Sequence, residues 1–251
     1  MTRLTMVLLT GMISASSWSA CSYDLDARRS TIAEFYLGSQ RFPIIEEQKA
    51  LFNVREYSLI EYRHFLASNE KDVKRVRKGI EIPQSGIIAY EYKLKVPSLL
   101  LPGDDALFTP YNIAHAFFNS GSTDIFVMYE NNLPNSDHPL GIYIGNSSGP
   151  SSGDSTYIPV TSSSDGFQKV GIYINQDSKQ IGVIYNGVNK GYISTIPDKI
   201  KSLSFIPSMS YRVGLFSPNV GNEHSIELVT DKDQFQFTYP IETKDICGNT
   251  I

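Results

Sequence analysis

From Val170 onward the chain alternates in steps of two: Val170, Ile172 and Ile174 face one way, Gly171, Tyr173 and Asn175 the other. That period belongs to a strand with one face buried. After a polar turn, Gln176 to Gln180, the residues Ile181, Val183 and Tyr185 resume the alternation. Asn186-Gly187 is the dipeptide that most readily takes two positive φ angles, so the chain is predicted to reverse there and return as a strand from Val188 to Ile193. A three-stranded meander of this kind needs a second layer over its apolar side.

Similar alternation recurs on both sides. In GIIAYEYKLKV (86–96), Ile88, Tyr90, Tyr92, Leu94 and Val96 share one face, while Glu91, Lys93 and Lys95 share the other. The tyrosines among the apolar positions read as core residues with bonded hydroxyls. PSLLLPGDD (97–105) reads as a loop, NIAHAFFN (112–119) as a strand or short helix, DIFVMYEN (124–131) as a strand and NLPNSDHP (132–139) as a polar loop. LGIYIGN (140–146) then gives the tetrapeptide GIYI that returns at Gly171–Ile174. Between the two copies the Ser/Gly-rich segment 145–166 is expected to be an exposed loop around one short strand. SLSFIPSMSYRVGLFS (202–217), HSIELVTD (224–231) and DQFQFTYP (233–240) supply further strands.

Residues 22–85 carry the weakest pattern. STIAEFYLGS opens as a helical turn after Ser30, and LFNVREYSLIEYRHFL (51–66), which fits helix and strand alike, is taken as strand. Spacing of this kind predicts an all-β fold, a two-sheet antiparallel β-sandwich with few short helices, in a single domain spanning 21–251.

The N-terminus changes the expected compartment. LTMVLLTGMISASS (4–17) behind Arg3 is apolar, too short to span a bilayer and followed by small residues, as in a signal peptide over 1–20. Its removal leaves no transmembrane segment, and places the mature protein in the periplasm or outside the cell. The only two cysteines, Cys21 and Cys247, then stand near the two ends of the mature chain and are expected to form a disulfide. The alternative is a lipoprotein anchored through Cys21. The 22 Lys and Arg residues, less Arg3, stand against 26 Asp and Glu and leave a mature net charge of −5, which argues against nucleic acid as a partner. The one basic run, EKDVKRVRKG (70–79), reads as a solvated edge or loop, or as a contact for an acidic polymer.

Candidate chemistry is sparse. GNSSG and GPSSG overlap at 145–153 and match the nucleophile-elbow pattern, but DSTYIPV is a poor helix start and an elbow needs a helix there. His64, His115, His138 and His224 are dispersed without metal-ligand spacing, and Asp104-Asp105 and Asp231/Asp233 read as turn residues, so neither a metal nor another cofactor is expected. The candidate ligand-binding residues are Tyr143, Tyr173 and Asn175. Small neighbours, Gly141 and Gly145 beside Tyr143 and Gly171 near Tyr173, leave a ring accessible for stacking on a sugar or peptide. Were the two strands neighbours, both rings would line one patch. The competing account is that the rings cover glycines of twisted outer strands.

The hairpin from Gly171 to Gly191 resembles that of SPRY-like domains in the concanavalin A-like lectin and glucanase superfamily. The resemblance implies a double-sheet jelly roll that returns through YRVGLFS and closes with DQFQFTYP. The layout of leader, ACSYDLD and terminal cysteine is also similar to a family of small exported proteins of gram-negative bacteria, a likeness that implies no activity. The glucanase pattern E-x-D-x-x-E is missing, as is the Glu/Asp pair of metal-dependent lectins. The expectation is therefore an exported, non-enzymatic module that binds a glycan or a protein at the cell surface or in the periplasm. A structural or assembly subunit comes second and a glycan hydrolase third.

Overall fold

The computed structural model describes residues 40–56, 58–63, 79–109, 112–134, 136–147 and 155–251. The leader, Cys21, the segment after Ser30 and residues 70–78 of the basic run lie outside the described residues.

In chain order the strands are β1 (Ile44–Glu46), β2 (Lys49–Asn53), β3 (Ser58–Arg63), β4 (Ile80–Glu81), β5 (Ile87–Lys95), β6 (Ala106–Phe108), β7 (Asn112–Phe117), β8 (Ser122–Asn131) and β9 (Leu140–Asn146). The second half adds β10 (Ser155–Ile158), β11 (Phe167–Asn175), β12 (Gln180–Tyr185), β13 (Val188–Thr195), β14 (Ser202–Ile206), β15 (Ser208–Val213), β16 (Glu223–Val229) and β17 (Thr243–Asp245). A 3₁₀ turn at Lys232–Gln234 is the one helical element among the described residues.

The first sheet runs β1-β2-β16-β5-β11-β12-β13, with β17 joining β5 in parallel where β16 leaves it. In the second sheet β8 carries β9 and then β10 on one edge, with β7 and β6 end to end on the other. Beyond these lie β14 and β15, then β4 and β3. Apart from β17 every pairing is antiparallel, and the two sheets close over one apolar core. The chain is a β-sandwich of jelly-roll type.

The alternation read from the sequence sets the inward faces. Ile88, Tyr90, Tyr92 and Leu94 of β5, Ile172 and Ile174 of β11, Ile125 and Val127 of β8, and Ile142 and Ile144 of β9 all enter the core. Tyr90 meets Phe205 of the facing sheet edge-on at 5.1 Å. The tyrosines depart from expectation in one respect: the buried hydroxyls of Tyr90 and Tyr92 have no hydrogen-bond partner among the described residues, because both point into an apolar layer. Burial holds both phenols well above their usual pKa.

The meander forms as read, with Asn186 at φ 45° and Gly187 at φ 84° making its turn. NIAHAFFN resolves to the strand β7. The segment 51–66 is strand as far as Arg63 but not one strand, since the chain leaves the first sheet after Asn53 and enters the second at Ser58. Pro207 divides the next segment into β14 and β15, and strand ends at Val213.

DQFQFTYP, expected to close the sandwich as a strand, does not. The backbone N–H groups of Gln236 and Phe237 donate not to a ladder but to the Glu91 carboxylate at 3.0–3.2 Å, and the Tyr239 hydroxyl joins them at 3.1 Å. Phe235, Phe237 and Tyr239 lie as a strap over Ala89, Tyr173 and Ile184, on the outside of the first sheet. Glu91, placed by periodicity on a solvated face, is 1% exposed beneath that strap.

Candidate functional site

The register brings the connections β2–β3, β5–β6, β8–β9, β10–β11, β12–β13 and β15–β16 to one end of the sandwich. Loops there are tied together by side chains. Asp105, 5% exposed, accepts from the Gly214 N–H at 3.1 Å, the Asn219 amide at 2.5 Å and the Ser217 hydroxyl, while Asn132 donates to the carbonyls of Gly103 and Asp105. Asp231 caps the 3₁₀ turn by accepting from the Asp233 N–H at 3.0 Å. Both aspartates organise loops, and the described residues hold no group of three or more His, Cys, Asp or Glu suited to a metal.

Tyr143 sits on the outward face of the second sheet near this end. Its cross-strand neighbours are Met128 on β8 and Tyr157 on β10. The Tyr157 ring lies over Gly141, where a Cβ would come within 2.1 Å of it, and its hydroxyl donates to the Leu140 carbonyl at 3.0 Å. His138, from the β8–β9 loop, stacks on Tyr157 with centroids 3.9 Å apart, and Tyr143 lies 5.4 Å from the same ring. Glu130, opposite Gly141, accepts from the Ser136 hydroxyl at 2.8 Å. The result is an aromatic step with an exposed imidazole on top and a half-buried carboxylate beside it.

Farther along the same face, His115 of β7 and Asp124 of β8 are direct cross-strand partners, with Nδ1 and Oδ1 2.5 Å apart and both side chains about one-third exposed. Phe117 meets the imidazole edge-on at 4.5 Å. A carboxylate that fixes an imidazole's orientation serves a binding histidine and a general base alike. Asp124 and Glu130 lie six residues apart on one strand, a span of roughly 20 Å.

Tyr173 does not share this face. The two GIYI copies are in opposite sheets, so no common patch exists. Tyr173 lies over Gly182, where a Cβ would come within 2.0 Å of its ring, and it is 2% exposed beneath the strap with its hydroxyl donating to Asn189 at 3.1 Å. Ring-over-glycine packing thus occurs in both sheets, supplied by Tyr173 in one and by Tyr157, not Tyr143, in the other. Asn175 accepts from the Asp177 and Ser178 N–H groups at 3.0 Å and organises the turn before β12. Asn146, which opens N-S-S, is buried and donates across the sandwich to Ser194 and to the Thr195 carbonyl.

Sequence reasoning singled out Tyr143 but missed Tyr157, His138 and Glu130. The one available signal was the short strand STYI within the long loop, because a strand there had to pair with a neighbour and bring its tyrosine onto a sheet face. The G-x-S-x-G matches lie largely outside the described residues, and β10, not a helix, follows them.

The chain belongs to the family described as domain of unknown function DUF4882, whose model matches residues 2–249. No curated protein sequence matches it. Among solved structures it is similar to the PL7 alginate lyase AlyA1 from Zobellia galactanivorans, at 12% identity and a TM-score of 0.42 over 84% of this chain and 94% of that one. It is also similar to the Emp46p carbohydrate recognition domain, at 12% identity and a TM-score of 0.44 over 84% and 95% of the two chains. A third is an endo-1,3-beta-glucanase from Streptomyces sioyaensis, at 14% identity and a TM-score of 0.42 over 66% and 68%.

Proposed function

We propose that this DUF4882 protein is an exported, non-catalytic glycan-binding module whose binding surface is the outward face of the second sheet around Tyr143, Tyr157 and His138. The observation that carries this reading is the stacked step itself: His138 at 3.9 Å on Tyr157, exposed and flanked by Glu130. Rings held by packing offer a rigid apolar platform to the C–H face of a sugar, and a neighbouring carboxylate accepts hydroxyl protons. A glycan array probed with the wild-type protein should give a saturable hit. His138→Ala should weaken that hit about tenfold, equivalent to roughly 1.4 kcal/mol, without changing the unfolding midpoint by more than a surface substitution does, and Tyr157→Ala should weaken it as much while also lowering the midpoint, because its ring covers Gly141. No hit, or hits indifferent to both variants, would sink the reading. Turnover of a bound glycan would instead overturn its non-catalytic part and turn attention to His115.

A second reading, a subunit of an envelope assembly, is favoured by a separate observation. At the same end of the sandwich Leu99, Leu100, Leu215 and Phe216 are 52–88% exposed. Apolar side chains gathered on loop tips mark contact surfaces. Sedimentation across a concentration series decides between a stable monomer and an assembling species, and Phe216→Asp should abolish the latter.

A further inference from the structure

The loop end holds a concavity distinct from the aromatic step. It lies between the β10–β11 segment, the Asn186-Gly187 turn and the strap, has a volume of about 470 Å³, and is lined by Thr161, Ser162, Ser164, Asp165, Lys169 and Phe237 among others. That volume falls in the range of small-molecule sites, roughly 300–1,000 Å³. We propose that this cleft is a second saccharide site, taking a neutral pyranose.

Its walls are fixed by bonds that do not involve a ligand. The Asn186 side chain accepts from the Lys169 N–H at 2.8 Å and donates to the Thr161 hydroxyl at 2.9 Å and to Gln168 at 3.1 Å. One side chain thus locks the turn, strand β11 and the start of the loop together. On the opposite wall the strap is held by Glu91 through the N–H groups of Gln236 and Phe237. Nothing lies within 4 Å of a Cβ built on Gly187, so the lip of the cleft is open.

The polar groups inside it fit hydroxyls better than charges. Lys169 and Asp165 form an ion pair at 2.6 Å, and Asp165 also accepts from the Phe167 N–H at 3.1 Å. The pair is locally neutral, and an ammonium has three protons of which this contact uses one, so adjacent sugar hydroxyls can take a donor from Lys169 and an acceptor from Asp165. A uronate or an amino sugar would have to compete for a charge that already has its partner. Lys169 and the Phe167 N–H hold the Asp165 carboxyl down to about 2, so it is an acceptor at neutral pH. The serine and threonine hydroxyls add donors and acceptors without net charge. Phe167 and Phe237, each half-buried, supply the apolar surface that a pyranose ring needs on one side.

Being lined by different residues, the cleft can bind whether or not the aromatic step does. The test uses ¹⁵N-labelled full mature chain and four probes: methyl glucoside, methyl galactoside, methyl N-acetylglucosaminide and glucuronate. At least one neutral glycoside should shift the Gly166, Gly187 and Gln236 amides saturably at about 10 mM, the weak affinity usual for a single small ligand. Glucuronate should bind at least tenfold more weakly. Ser164→Trp, at an exposed position, should fill the cleft and abolish the shifts, and His138→Ala should leave them in place. Should Ser164→Trp fail to fold, Ser162→Trp and Gln236→Trp serve the same purpose. The proposal is overturned if no neutral probe moves those amides, if the shifts survive the filling variants, or if glucuronate moves them as strongly.

Discussion

The two tyrosines at the heart of the sandwich are the least economical residues in it. Tyr90 and Tyr92 supply large rings to the core, yet neither hydroxyl has a partner among the described residues. A buried polar group without a hydrogen bond costs about 1–3 kcal/mol relative to a bonded one, whereas its ring packs as well without the oxygen. Tyr92→Phe should therefore stabilise the protein by roughly 1 kcal/mol, read as a rise in the denaturant midpoint at unchanged m-value. A loss of stability would mean that the hydroxyl has a partner after all. Periodicity made both residues legible as core. It could not show whether the hydroxyls were bonded, because the facing partner, Phe205, is contributed by a strand far along the chain.

At the scale of elements, alternation was a faithful guide wherever one face met the core and the other met water. It misled where a second layer covered the outside. Phe235, Phe237 and Tyr239 alternate as a strand does, but their backbone is held by a side chain instead of a ladder. Glu91 is the origin of this difference, and nothing in the local sequence of β5 marks it as a clamp. The binding step was half legible for the same reason: Tyr143 showed through its glycines, while Tyr157 reaches it from β10 and His138 from the β8–β9 loop, a meeting that only the pairing of β10 with β9 defines. Replacing Glu91 by Ala should release the strap, raising amide exchange at Gln236 and Phe237 by about tenfold or more, as expected for losing a hydrogen bond to a charged acceptor. Burial outweighs the three donors and raises the Glu91 pKa above its ordinary 4.5. Between 4.5 and that higher value the folded state binds more protons than the unfolded state, so this group's contribution is complete below 4.5 and falls away as pH rises through the folded pKa. Unfolding free energies measured through this window should decline less steeply in Glu91→Gln than in the wild type.

For the whole molecule, the meander and the fold class could be read from the sequence, whereas the number of strands and their assignment to sheets could not. The two GIYI copies illustrate the limit: their isoleucines enter the core at the same alternate positions in both sheets, so pattern alone cannot say which neighbour each strand will find. Export and the pairing of Cys21 with Cys247 belong to this scale as proposals. Cys247 follows β17, whose Asp245 accepts from the Cys247 and Asn249 N–H groups at 2.9 Å, so the C-terminal end of the proposed bridge is anchored to the central strand β5. The mature exported chain should show no reactive thiol until reduced. Cys21→Ser should lower stability by about 2–5 kcal/mol, and a lipid on Cys21 by mass spectrometry would refute the pairing.

The parallel contact between β17 and β5 bears on the order in which the protein can be made. Ile87 pairs with Thr243 and Lys95 with Ser225, so one edge of the central strand waits for partners from the last part of the chain. Loop closure over such separations slows folding. During synthesis, β5 can acquire β11 early but must remain open on its other side until the C-terminus has emerged. Its alternating isoleucine and tyrosine residues are then an unpaired template, the kind of segment that associates between chains. A copy that stops short of Thr243 would keep every residue of the proposed glycan step and still lack the strand that completes the β16 side of β5, so its failure would show as aggregation before it showed as lost binding.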